Sequence, residues 1–285
     1  MMTNRMHRWA FALAMISTMV TMPAGAQASE HQRIGVERLT DWELGFELGS
    51  GMTREAYGSI DYLFVESYVS IDALVAKSLT ASLYVPLSSE FSIGGDVQRT
   101  AMAGLGDIEV SAGWTGRLAD TRVSASLHVS IPTGEWNPYA AAEGMLVPGS
   151  GRWSVGTAFS ASRILDPVVL GAAFSYDVGL SRVERFASSW RPGDMTLSLS
   201  VTEVLNDLVG YTLKATQRAS LPEVWDGAYD PDSFSYTASA SIELWYSDGD
   251  VSTRFGLSKS VTNIESPARL YATLSYALRS EKKHE

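Results

Sequence analysis

His128 and Ser130 lie two residues apart in Ser124-Ala-Ser-Leu-His-Val-Ser130, so an imidazole and a hydroxyl share one face if the chain is extended. A histidine that draws the proton from a nearby serine is the start of a nucleophilic hydrolase, provided a third group orients the ring. No third group stands at a useful spacing, and Asn137 falls in a loop-like stretch. His128 is therefore read as a hydrogen-bonding member of a polar face with Ser124, Ser126 and Ser130, and no enzymatic activity is expected. Asp226, Asp230 and Asp232 crowd one loop, but their spacing is not that of a calcium loop. They read as an acidic surface loop without a metal. Gly94-Gly95 and Gly104-x-Gly106 precede no helical pattern, which removes the usual phosphate cradle. The lack of cysteine removes thiolate catalysis, disulfides and cysteine metal sites. No cofactor is expected.

More informative are charges that recur singly, among small polar residues, on alternate positions. Arg117, Arg122, Arg152, Lys214, Arg218 and Arg254 share this parity with Asp107, Glu109, Asp177 and Glu243, and Glu43, Glu47 and Glu66 do so nearer the start. The opposite parity is apolar. Ile108, Val110, Ala112, Trp114 and Leu118 fill it in one run, Val123, Ala125, Leu127, Val129 and Ile131 in the next, and Met195, Leu197, Leu199 and Val201 further on. Order of period two sustained over so many runs is the pattern of strands with two different faces.

The runs at residues 40–49, 60–71, 77–87, 107–118, 121–132, 152–163, 168–179, 194–205, 208–219, 233–246, 251–260 and 269–279 predict about twelve strands. A tilted strand of roughly 9–11 residues crosses a bilayer, and these are long enough. Five short breaks, each beside an aspartate (Asp72, Asp120, Asp166, Asp207 and Asp248), join the runs in pairs. Longer loops occupy residues 51–59, 88–106, 133–151, 180–193, 220–232 and 261–267. Short turn, strand, long loop, strand is the rhythm of a transmembrane barrel. The expected fold is all-β: a transmembrane antiparallel β-barrel of about 12 strands, closed so that no edge is left open. The short turns would face the periplasm, and loop 133–151 is long enough to fold inward as a constriction. Trp42, Tyr211, Tyr246 and Tyr276 on the apolar face fall near the short turns, while Trp153, Tyr176, Phe234 and Tyr236 fall near the long loops. Two aromatic girdles at two interfaces are what such a depth assignment requires.

The chain opens with Arg5 and Arg8, an apolar stretch over residues 9–22, and Ala24, Ala26 and Ala28. Residues 1–28 read as a secretory signal cut near 26–28, leaving 29–285 as the barrel. Export together with the barrel pattern implies a Gram-negative outer membrane. The whole chain has 22 Lys+Arg against 32 Asp+Glu, a formal charge of −10. Removing the leader takes Arg5 and Arg8 and no acid, leaving 20 against 32, or −12. So acidic a chain is a poor partner for nucleic acid. The expected partners are outer-membrane lipid and lipopolysaccharide, a small-molecule solute and the barrel-assembly machinery, and the chain is expected to be a monomer.

Three short motifs follow in order: Gly104-Leu-Gly-Asp-Ile-Glu-Val-Ser-Ala-Gly-Trp114, Ser130-Ile-Pro-Thr-Gly134 and Pro148-Gly-Ser-Gly-Arg-Trp153. In order and spacing they resemble the outer-membrane barrels of the phenol meta-pathway degradation (MetA-like) transporter family. The resemblance covers residues 100–180 and implies a channel for small aromatic or hydrophobic compounds. Physically, the glycines mark tight loop-to-strand transitions. Tyr271-x-Thr273-x-x-Tyr276-x-Leu278 resembles the terminal pattern read by the assembly machinery, with Thr273 where glycine is usual.

On the sequence alone, the charged inner face has two readings. Its charges could pair and close a narrow interior, since an unpaired buried charge is costly, or they could line an aqueous path that orients solutes. The expectation is a narrow passive channel, with Arg117, Arg122, Arg152, Lys214, Arg218, Arg254, Asp107, Glu109, His128, Asp177 and Glu243 along the solute pathway. An oligosaccharide or organic-acid porin and a plugged, surface-interacting barrel are the alternatives. A barrel hydrolase is the remotest, because parity puts His128 in the lumen and a barrel phospholipase needs its pair at the lipid surface.

Overall fold

The computed structural model describes residues 43–57, 60–76, 78–93, 101–135, 147–183, 188–263 and 268–279. Twelve long strands run through them: β1 (Glu43–Tyr57), β2 (Ile60–Ala76), β3 (Leu79–Ile93), β4 (Ile108–Leu118), β5 (Thr121–Ile131), β6 (Ser154–Leu165), β7 (Val168–Val183), β8 (Ser188–Val204), β9 (Val209–Ser220), β10 (Ser235–Asp248), β11 (Val251–Ser260) and β12 (Arg269–Arg279). Each pairs antiparallel with its sequence neighbours, and β12 returns to β1 through Glu47↔Ser275 and Phe46↔Tyr276. The sheet is a closed antiparallel barrel without a free edge among its long strands. A short strand, Ala101–Leu105, adds to the outer end of β3, and a small hairpin of Val224–Trp225 and Ala228–Tyr229 adds to that of β8.

The alternation sorts as expected, with the apolar parity outward. Leu127, Phe159, Leu199, Leu213 and Phe255 are exposed on the outer surface, and Trp114 sits among them. The inner parity holds Ser70, Ser111, His128, Ser160, Ser198 and Thr212, all buried. A soluble protein would reverse this arrangement. An apolar exterior around a polar interior is stable only where lipid is the outer solvent. The girdles agree: Tyr246 and Tyr276 are exposed near the short turns, and Trp153, Phe234 and Tyr236 near the other rim. Trp42 and the predicted leader lie outside the described residues.

Two expectations need correction. The first short connection falls between Ala76 and Leu79, with Ser78 in a turn, and not at Asp72. The strand predicted for 60–71 runs on to Ala76, and Asp72 occupies an inner position between Gly45 and Ser82. The longer loops are also shorter than predicted. β1 continues to Tyr57, β7 to Val183, and β8 begins at Ser188, so most of 51–59 and 180–193 is strand. Above the bilayer no lipid demands an apolar outer face, and the alternation that marks a strand fades while the hydrogen-bond ladder continues. The middle of loop 133–151 lies outside the described residues.

Candidate functional site in the barrel lumen

The inner wall is not uniform. From β5 to β9 it is lined by small hydroxyl and glycine positions that pair across strands: Ser124 Oγ with Ser160 Oγ at 2.7 Å, Ser198 Oγ with Thr216 Oγ1 at 3.3 Å, and Thr202 Oγ1 with Thr212 Oγ1 at 2.8 Å. The β10–β4 side carries the bulk and most of the charge. At its centre is Glu47, 4% exposed, whose Oε2 accepts from Arg254 Nη2 at 2.7 Å and from Ser275 Oγ at 2.8 Å. The Tyr68 hydroxyl donates to the other oxygen of Glu47. One turn of the wall further out, Arg269 meets Glu66, and the Tyr68 and Tyr84 rings lie 5.1 Å apart.

One local device recurs four times around the inner wall, twice on each side. Gly256 of β11 is in register with both Tyr271 of β12 and Glu243 of β10. Tyr271 lies flat across that glycine and donates from its hydroxyl to Glu243 Oε1 on the far side at 2.5 Å. A Cβ at Gly256 would fall 2.2 Å from the ring. His128 of β5 crosses Gly156 of β6 to Asp177 of β7 in the same way. Tyr68 of β2 lies over Gly49 of β1, and Arg152 crosses Gly179 of β7 to Ser189 Oγ at 3.4 Å. In each case a missing side chain is the trough that lets a long one lie against the wall and end on a polar partner. Glycine costs strand stability when judged alone, and its place here is set by close approach.

The predicted pathway residues can now be placed. Register puts Arg117, Arg122, Lys214, Arg218, Arg254, Asp107, Glu109, His128, Asp177 and Glu243 on the inner parity of their strands or strand ends. They do not form one ladder. Arg254 and Glu243 belong to the Glu47 side, His128 and Asp177 form their own pair, and Arg117 stands opposite Arg122 near the periplasmic turn. Arg152 and Arg218 join Arg191, Asp194 and Glu223 at the outer mouth. Asp107 sits at the outer rim, where its two oxygens accept from Gly134 N at 3.0 Å and Ser150 N at 2.6 Å. Arg191, Glu223 and Arg269 were missed by parity. The first two lie where loops were predicted, and Arg269 opens a strand whose partner for it is far away in sequence.

The three motifs meet at that rim. Thr133 Oγ1 accepts from Ile108 N at 3.0 Å and donates to Gly106 O at 3.1 Å, while Gly149 N donates to Glu135 O at 3.0 Å. A Cβ on Gly134 would come within 2.5 Å of Gly149 Cα, and one on Gly104 within 2.5 Å of Pro148. Residues 25 to 43 positions apart thus tie both ends of loop 133–151 to the barrel.

Comparison with known proteins agrees with this architecture. The solved structure of the COG4313 outer membrane channel from Pseudomonas putida F1 superposes with a TM-score of 0.68 at 14% identity, covering 84% of this chain and 96% of that one. The translocator domain of the autotransporter NalP from Neisseria meningitidis gives 0.49 at 9% identity, covering 98% of both chains. A deletion mutant of the TodX monoaromatic hydrocarbon channel gives 0.48 at 12%, covering 84% of this chain and 90% of that one. No curated protein matches the chain in sequence. The closed barrel with its apolar exterior is thus an outer-membrane fold. The model of the family described as "MetA-pathway of phenol degradation" matches residues 43–274, the whole run from the first strand into the last, and the chain belongs to that family.

Proposed function

We propose that this barrel is a passive outer-membrane channel for small aromatic or hydrophobic compounds. The observation that carries the reading is the direction of the inner side chains. Glu47 with Arg254, Tyr271 with Glu243, His128 with Asp177 and Arg269 with Glu66 join strands two places apart, so these long side chains lie along the wall. The Tyr68 and Tyr271 rings, laid over glycine, turn flat faces to the lumen, and flat aromatic faces favour aromatic solutes by offset stacking. The lumen residues named above line the path. The reading includes a leader over residues 1–28, insertion by the barrel-assembly machinery, lipopolysaccharide around the outer rim, and a monomer that catalyses no reaction.

Single-channel recording in planar bilayers, with phenol and glucose as comparison solutes in a vesicle-swelling assay, tests this. Steady KCl current and faster entry of phenol than glucose are expected. Silence at every voltage and with every solute would refute transport and favour a plugged barrel.

A further inference from the structure

At the outer mouth three guanidiniums gather between β6 and β9. Arg152 Nη2 donates to Glu223 Oε1 at 3.1 Å, and Arg191 donates to the same oxygen from Nε at 3.2 Å and from Nη2 at 2.9 Å. Arg191 Nη1 lies 3.5 Å from Asp194 Oδ2, and Arg218 Nη2 lies 3.7 Å from that oxygen. Among the described residues, these contacts bring three guanidiniums to two carboxylates. Arg152 and Glu223 are both more than nine-tenths buried.

The two sides of this contact are held differently. Two of the guanidiniums stand on wall strands, Arg191 on β8 in register with Gly179 and Arg218 on β9, and Arg152, two residues before β6, is laid across that glycine with a second bond to Ser189. The carboxylate belongs to a connection. Glu223 follows the end of β9 and precedes the two-residue strand Val224–Trp225, which pairs with β8 at only Trp190 and Ser189. Its backbone N–H is tied to Ser233 Oγ at 2.6 Å, within the same connection. The wall is thus a preformed receptor for a carboxylate, and a loop of the same chain supplies the resident one. Guanidinium donors arranged as a fork are the best protein match for such a group.

We propose that Arg152, Arg191 and Arg218 form an entry site for the carboxylate of a small monocarboxylic acid, with Glu223 as the group that the solute displaces. This deepens the channel reading and rests on it, because only a conducting lumen gives an entry site its use. Exchange of one carboxylate for another conserves the charge-assisted hydrogen bonds, and the solute competes against the effective concentration of the tethered Glu223, so the site is a weak one suited to passage. A neutral phenol offers no group that could replace Glu223.

The test uses sodium benzoate and its neutral counterpart benzyl alcohol. Binding to the folded chain in detergent is read by saturation-transfer NMR, and KCl current is read in planar bilayers with either solute on the outer side. Wild type should bind benzoate in preference to benzyl alcohol and show benzoate-dependent interruption of current. Arg191→Gln should weaken benzoate about tenfold, as expected for loss of a charged donor, without changing benzyl alcohol. Glu223→Gln should tighten benzoate by removing its competitor. Should Arg191→Gln lose its heat-modifiable gel band, the exposed Arg218→Gln and the Glu223→Gln pair carry the test. Equal treatment of the two solutes, or benzoate binding indifferent to Glu223→Gln, would overturn the proposal. Current without charge-dependent benzoate binding strikes the site and spares the channel, whereas binding without current strikes the channel.

Discussion

Replacing Gly256 by alanine should destabilise the barrel, against the ordinary effect of that change in a strand. The new Cβ would stand 2.2 Å from Tyr271 Cζ, 2.4 Å from Cε2 and 2.6 Å from Cε1. Carbon atoms rest about 3.5–4.0 Å apart, so the ring must retreat by roughly 1.3–1.8 Å. Lifted off the wall by that much, the Tyr271 hydroxyl, 2.5 Å from Glu243 Oε1, would stretch to roughly 2.8–3.1 Å and turn out of line, so the bond weakens. Loss of a hydrogen bond to a charged group costs about 1.5–3 kcal/mol. Alanine returns about 0.5–1 kcal/mol through the chain entropy that glycine forfeits. Full loss of the bond sets the ceiling, so the expected net loss is at most about 2 kcal/mol. Urea titration of folding into thin lipid vesicles, followed by tryptophan fluorescence, reads this as a lower midpoint at unchanged slope. In a Tyr271→Ala background the same Gly256→Ala change should be neutral or stabilising. Equal stabilisation in both backgrounds would refute the glycine-trough account. In bilayers, a ring lifted from the wall should also lower single-channel conductance.

Three further outcomes follow from other parts of the wall. Glu47→Ala leaves the nearly buried Arg254 without its main counter-charge and should cost about 3–5 kcal/mol in the same titration, while Glu47→Gln combined with Arg254→Met should cost clearly less. Leu127, exposed at mid-strand on the outer face of β5, should not accept a charge. Leu127→Arg is expected to cost about 2–4 kcal/mol, and Leu165→Arg beside the periplasmic turn no more than about 1 kcal/mol, since the penalty depends on depth. Asp107→Ala removes the acceptor for Gly134 N and Ser150 N. It should expose loop 133–151 to added protease without shifting the midpoint of the barrel; a protected loop would mean that Thr133 and the glycine contacts suffice.

Parity made most of this wall legible because the side-chain period of a strand is two wherever one face meets lipid. Val123 to Ile131 and Met195 to Val201 state it without ambiguity, and the inner residues follow by exclusion. Asp72 shows the limit of reading turns from spacing. Its even distance from the next aspartates suggested a break, yet a barrel interior tolerates an aspartate as readily as a turn does. Gly49, Gly156, Gly179 and Gly256 show a second limit. Each falls on the inner parity as an unexplained weak position, and its meaning depends on what the partner strand places opposite it. That register is invisible in a single strand. Arg254 and Glu47 are 207 positions apart and meet only because the barrel closes. Glu223 lies beyond any strand, where no period exists to mark its direction.

The two sequence readings of the inner charges differ in whether the charges reach across the lumen, and size decides between them. Twelve strands about 4.8 Å apart, tilted by roughly 40°, set opposite backbone walls roughly 24 Å apart. An extended arginine spans about 7 Å and a glutamate less, by the bond lengths of their chains, so no single pair can bridge that gap. Strands two places apart are separated by only about 10 Å, and two facing side chains close it. Arg254 to Glu47, Arg269 to Glu66 and Tyr271 to Glu243 take that route. Pairing along the wall relieves the cost of buried charge without filling the axis. It also explains the troughs: a side chain that runs along the wall must pass over the strand between, and glycine or serine there keeps it low. A network built to seal the barrel would need bulk at those positions instead. Small residues under the long ones are therefore the feature that ties charge pairing to an axis that the described strands leave free for solute.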